Sequence, residues 1–158
     1  MTRQDAPIAS YPLGPALDFL QKLWQLNHAL EKVSSGMEKR LGVTAQQRLI
    51  LRCLGKYPGM TAGHLATLLH VDPGTVSASL TRLEIKGLLE RRRDPRDKRR
   101  AALGLTAKGR ALDRPAAGTV ERAVERLLGS VPAGELQTMM SVVARLTILL
   151  GEELTAAG

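Results

Sequence analysis

Apolar residues recur at steps of three and four along most of the chain, the spacing of one face of a helix. The longest run, Leu17, Leu20, Leu23, Leu26, Leu30, Val33, Met37 and Leu41, predicts an amphipathic helix from Leu13 to a stop near Gly42. Thr44 is placed to cap a second helix reaching Lys56, with Leu49, Ile50, Cys53 and Leu54 inside, before the break at Tyr57-Pro58-Gly59. Thr61 caps a short helix, AGHLATLLH, whose inner face uses Leu65 and either Leu68 or Leu69. His70-Val71 then leads into Asp72-Pro73, where the carboxylate can accept backbone N–H bonds and the proline lacks a donor that would go unpaired.

In the helix that follows, Val76, Leu80 and Leu83 share one side. Gly74, Ala78, Thr81, Arg82 and Ile85 point the other way, with Thr75 and Ser77 on the flanks. Gly87 ends this helix. Leu88 to Arg92 can then run as a strand to a turn at Asp94-Pro95, returning through Ala101 to Leu105. Thr106 caps a fifth helix that carries on through Ala111, Leu112, Val120, Ala123, Val124 and Leu127, where Pro115 and Gly118 must kink or interrupt it. Pro132 opens a last helix with Leu136, Met140, Val143, Leu146, Leu150 and Leu154 on one stripe, widened by Met139, Val142, Ile148 and Leu149. Residues 1–11 are polar, contain a proline and lack a stripe, which reads as a flexible or partner-draped arm.

Charge changes the picture more than composition does. With 158 residues, 44% of them hydrophobic, the chain fits one domain with a sizeable core. Residues 91–100 hold seven Lys or Arg against two Asp, and so carry five of the chain's eight net positive charges. A cationic hairpin tip suits the minor groove and phosphates of DNA, and a small, polar outer helix face suits the major groove. Taken alone, that face is also what an ordinary surface helix shows, and a charge-rich loop can simply be solvated.

Other chemistry is sparse. The start of the chain does not resemble a signal peptide and no stretch of about 18 uninterrupted apolar residues could span a bilayer, so no membrane partner is expected and the cytoplasm is the expected location. The single cysteine, Cys53, is expected as a small buried hydrophobe in preference to a redox sensor. His28, His64 and His70 are scattered without Cys partners, so no metal is expected. Without paired carboxylates in a plausible cleft, a Ser-His-Asp or Cys-His grouping, or a phosphate-binding glycine loop, neither enzymatic activity nor a cofactor is expected. Both terminal segments carry more apolar surface than a small core can cover; pairing with a second copy would bury it, the alternative being a larger monomer core.

The helix order and the segment SASLTRLEIKGLLERRRDPRDKRRAALGLTAKG resemble the MarR family of bacterial winged helix-turn-helix transcriptional regulators. The sharpest elements are Thr81-Arg82-Leu83-Glu84 before Gly87-Leu88, the wing Asp94-Pro95-Arg96-Asp97-Lys98-Arg99, and Leu105-Thr106 followed by Gly109. The resemblance implies a mainly α fold with a small β-hairpin, as a single domain over 1–158. Within it a winged helix-turn-helix lobe at 44–105 lies between dimerisation helices at 13–41 and 107–156. It implies a homodimer that binds an inverted-repeat site in double-stranded DNA through a recognition helix at about 73–86, with Arg99 in the minor groove and Asp97 orienting it. The DNA-contacting candidates are then Thr75, Ser77, Ala78, Thr81, Arg82, Lys86, Arg93, Arg96, Asp97, Lys98 and Arg99. Ile85 departs from the family, standing where members often carry a basic residue, and Pro115 departs within the fifth helix. Family members that respond to small aromatic or phenolic effectors imply a pocket near Trp24, His28, Leu51 and Leu112, although Trp24 reads more readily as part of a dimer core than as a ligand contact. The expected function is a sequence-specific, ligand-responsive repressor, the alternative a winged-helix module that binds RNA or a protein.

Overall fold

The computed structural model describes residues 12–93 and 101–157. Among them the order is α1 (Pro15–Leu41), α2 (Ala45–Lys56), α3 (Ala62–Leu69), α4 (Pro73–Ile85), β1 (Leu89–Arg93), β2 (Ala101–Leu105), α5 (Ala107–Leu112), α6 (Val120–Leu128) and α7 (Ala133–Ala156). The chain divides into two compact units between Thr119 and Val120.

In the first unit, side-chain caps set where four helices begin. Thr44 Oγ1 accepts from the Gln47 N–H at 3.2 Å while the Gln47 side chain accepts from the Thr44 N–H at 3.3 Å, a reciprocal pair that satisfies two donors at the start of α2. Thr61 Oγ1 accepts from His64 at 3.2 Å, Asp72 Oδ2 from Thr75 at 3.0 Å and Thr106 Oγ1 from Gly109 at 3.1 Å. Between α3 and α4, His70 adopts a left-handed conformation, φ 49°, and the Val71 N–H closes back on the Ala66 carbonyl at 3.1 Å. That tight turn sets the direction in which α4 leaves α3.

The core lies among α2, α3, α4 and the hairpin. It joins Val43, Ile50, Leu51, Leu54, Leu65, Val76, Leu80, Leu83, Leu88, Leu89, Leu103 and Leu105. β1 and β2 pair antiparallel from Leu89 opposite Leu105 to Arg93 opposite Ala101. The hairpin is fastened on its other edge too: Leu103 donates to the Met60 carbonyl at 2.9 Å and accepts from the Gly59 N–H at 3.0 Å. Thr106 Oγ1 donates to the Gly87 carbonyl at 2.7 Å, closing the hairpin's base. Gly109 packs against this base so closely that a Cβ there would lie 2.0 Å from the Leu88 carbonyl oxygen.

Several expectations need correction. Of the kink or interruption expected at Pro115 and Gly118, the fifth helix shows the interruption: residues 113–119 separate α5 from α6, because Pro115 cannot donate within a helix and Gly118 takes φ 66°. Leu49 is 51% exposed and not inside, since it points away from the stripe that Ile50 and Leu54 share. Cys53 is half-buried, packed against the edge of the core and not within it. Of the two alternatives on α3, Leu69 packs inward and Leu68 is exposed. Pro132 stands at the N-cap of α7, one residue before the helix. The proposed arm, residues 1–11, lies outside the described residues.

In the second unit, neither α6 nor α7 holds a buried residue. Met140, Val143, Leu150 and Leu154 of α7 are all exposed.

Candidate nucleic-acid interface

α4 splits its residues by face, as its spacing predicts. Val76, Ser79, Leu80 and Leu83 are buried, whereas Thr75, Ser77, Ala78, Thr81, Arg82 and Ile85 are exposed together. The buried face locks the helix to the core, so the exposed face is presented by a rigid support. Thr81 Oγ1 donates to the Ser77 carbonyl at 3.0 Å. Among the described residues the Arg82 guanidinium has no side-chain hydrogen bond, which leaves its donors available to an incoming acceptor.

The cations at the hairpin are not equivalent. Arg91 Nε donates to Glu84 Oε2 at 2.8 Å, tying β1 to α4. Arg92 pairs with Glu90 Oε1, 2.9 Å from Nε and 2.5 Å from the terminal nitrogen. Arg93 is exposed at the end of β1. Lys86 turns inward instead: its ammonium donates to the Gly42 carbonyl at 2.7 Å and to Gln47 Oε1 at 3.1 Å, bracing the start of α2 against the end of α4. Arg96, Asp97, Lys98 and Arg99 lie outside the described residues.

The four residues assigned to an effector pocket are placed differently from one another. Leu51 is wholly buried in the core and Leu112 packs against that core, whereas Trp24 is 62% exposed and His28 is exposed on α1. A cleft of about 480 Å³ opens elsewhere in this unit, lined by Leu54, Pro58, Glu90, Arg92, Arg110 and Asp113 among others, and none of the four reaches it. Burial raises the Cys53 thiol above its ordinary pKa, and the Lys56 ammonium offsets part of that rise.

One feature of this lobe escaped the sequence reading. Arg48, 1% exposed on α2, donates to the Leu112 carbonyl and, at 2.7 Å, to the Arg114 carbonyl. Arg52, one turn on, donates to the Asp113 carbonyl and to Asp113 Oδ1 at 3.0 Å. Arg40, at the end of α1, donates to the Gly118 carbonyl at 2.6 Å and the Ala117 carbonyl at 3.3 Å. Three arginines thus hold the carbonyl-rich end of α5 and the segment after it, where the helix dipole is negative. The signal available in sequence was Arg48 flanked by apolar positions of α2, with Arg52 four residues on.

The MarR family model matches residues 43–101, the stretch from the start of α2 into β2. The HTH-type transcriptional repressor Rv2887 of Mycobacterium tuberculosis is 28% identical over 124 residues, 78% of this chain and 89% of the relative. Streptococcus pneumoniae FabT in complex with DNA superposes with a TM-score of 0.61 at 26% identity, covering 87% of this chain and 96% of that one. The transcriptional regulator PcaV of Streptomyces coelicolor, in complex with its natural ligand, gives a TM-score of 0.65 at 25% identity over 90% and 95%. The matched stretch is the one that builds the helix-turn-helix and leads into the wing, and there and over most of the chain this protein is similar to the MarR family of winged-helix transcriptional regulators.

Proposed function

We propose that the chain is a sequence-specific repressor that binds an inverted-repeat operator in double-stranded DNA as a homodimer and is retuned by a small aromatic or phenolic effector. The observation that carries the reading is the exposed face of α4, shortly before the cationic stretch 91–100, with Arg82 on it, whose side chain has no hydrogen-bond partner among the described residues. Thr75, Ser77, Ala78, Thr81 and Arg82 would meet the major groove. Arg93, Arg96, Lys98 and Arg99 would meet phosphates and the minor groove, with Asp97 orienting Arg99. Lys86 is left out of this set because its ammonium serves the fold.

Dimerisation is supported by the apolar residues that α1 and α7 each expose, among them Leu17, Leu20 and Leu26 on α1 and Met140, Val143, Leu150 and Leu154 on α7. Repression is supported by the Mycobacterium tuberculosis relative, and a ligand response by the PcaV complex. Trp24 and His28, exposed and one turn apart on α1, are the residues we assign to an aromatic anion. This role would place the protein in the cytoplasm with the DNA it regulates.

Selection from random duplex DNA at about 0.15 M salt, which suppresses non-specific phosphate binding, tests the reading. Enrichment of an inverted repeat with half-sites roughly 10 base pairs apart is expected. Enrichment of nothing above background would overturn it in favour of a winged helix that binds RNA or protein.

A further inference from the structure

The outward face of α4 is not uniformly polar. Ile85 is 81% exposed, about two turns beyond Ala78 on the same side of the helix, with Thr81 between them. The Thr81 hydroxyl gives its proton to the Ser77 carbonyl at 3.0 Å, so its donor is spent within the helix and its methyl is the group without a hydrogen-bonding role. Arg82 flanks this row, and the cationic stretch 91–100 follows it, so the polyanion that complements the charge also covers an apolar row.

Ile85 cannot bond a phosphate, and pressing it against a polar surface removes its water without replacing it by apolar contact. Among the edges that base pairs present in the major groove, the apolar group is the thymine C5 methyl. We propose that Thr81 and Ile85, with Ala78 beside them, are specificity-determining residues that read thymine methyl groups, so that each half-site carries thymine where they lie. This rests on α4 being the DNA-reading helix.

The test runs two random-duplex selections in parallel on the full chain, one pool built with thymidine and the other with deoxyuridine throughout. A thymine-containing motif is expected to enrich in the first pool. Each contacted thymine replaced by deoxyuridine should then weaken binding about fourfold, the factor that corresponds to one buried methylene-sized group. Thr81→Ser keeps the hydroxyl and loses the methyl, and Ile85→Ala trims an exposed side chain, so both variants should fold and still bind. Each is expected to lose the thymine-over-uracil preference at its own position. Equal binding of thymine and uracil duplexes by the unaltered protein, or an undiminished preference in both variants, overturns methyl reading while DNA binding stands. Enrichment in neither pool overturns both.

Discussion

Arg82, Arg91 and Arg92 carry the same charge within eleven residues and differ in what that charge already does. Arg91 and Arg92 have carboxylate partners in Glu84 and Glu90, so a phosphate must compete with a neighbour for them, whereas Arg82 has no such competitor among the described residues. Arg82→Ala should therefore weaken operator binding by about 1–3 kcal/mol if the guanidinium reads a base, with a smaller loss on scrambled duplex, and Arg91→Ala should lose less. Titration of both variants against cognate and scrambled DNA separates the cases; equal losses for Arg82→Ala on the two duplexes would make it a phosphate contact. Cys53 gives a second expectation at this scale. Burial favours its neutral thiol, so it should react with iodoacetamide at pH 8 more slowly in the folded protein than in urea. Because folding raises this pKa, the associated stability is complete below the unfolded thiol's pKa, about 8.5, and is lost as pH rises through the folded value. A faster reaction in the folded state would show that Lys56, and not burial, governs the thiol.

At the scale of elements, the starts of α2, α3, α4 and α5 were legible because a cap is a local signal: Thr44, Thr61, Asp72 and Thr106 each bond an N–H three residues on. The faces of α4 were legible for a related reason, since burial at Val76, Leu80 and Leu83 repeats with the helical period. Leu49 was misplaced because α2 has apolar residues on more than one side, and periodicity alone does not say which side meets α4 and the hairpin. The inward turn of Lys86 and the arginines gripping residues 112–118 were hidden for a different reason. They depend on partners 39 to 78 positions away, which no local pattern encodes. The Arg48 contact should be the costly one to remove. Arg48→Ala would strand the Leu112 and Arg114 carbonyls and is expected to lower unfolding stability by about 3 kcal/mol, with Arg52→Ala milder because the Arg52–Asp113 pair is partly solvated. Urea denaturation of both variants measures the difference; comparable losses would mean that burial of the charge offsets what its bonds contribute.

For the whole molecule, the distribution of apolar surface decides whether the chain works alone. α7 exposes a long apolar stripe and contains no buried residue, an arrangement that costs little only when another surface covers it. Leu150 is the informative position, since at 61% exposure its replacement barely disturbs a single chain, whereas Leu146 is already half-buried and a charge there would perturb folding as well as association. If a second copy covers the stripe, Leu150→Glu places a carboxylate in an apolar interface, a change that costs several kcal/mol unless the group finds a partner or takes up a proton. The unaltered protein should then sediment as a dimer and melt at a temperature that rises with protein concentration, while Leu150→Glu sediments as a folded monomer. Operator binding should fall with it, because two half-sites held by one dimer become two independent and weaker events. A concentration-independent melting temperature with monomeric sedimentation of the unaltered chain would remove the dimer, and the inverted repeat would then lose its physical basis, since operator symmetry mirrors the symmetry of the protein that reads it.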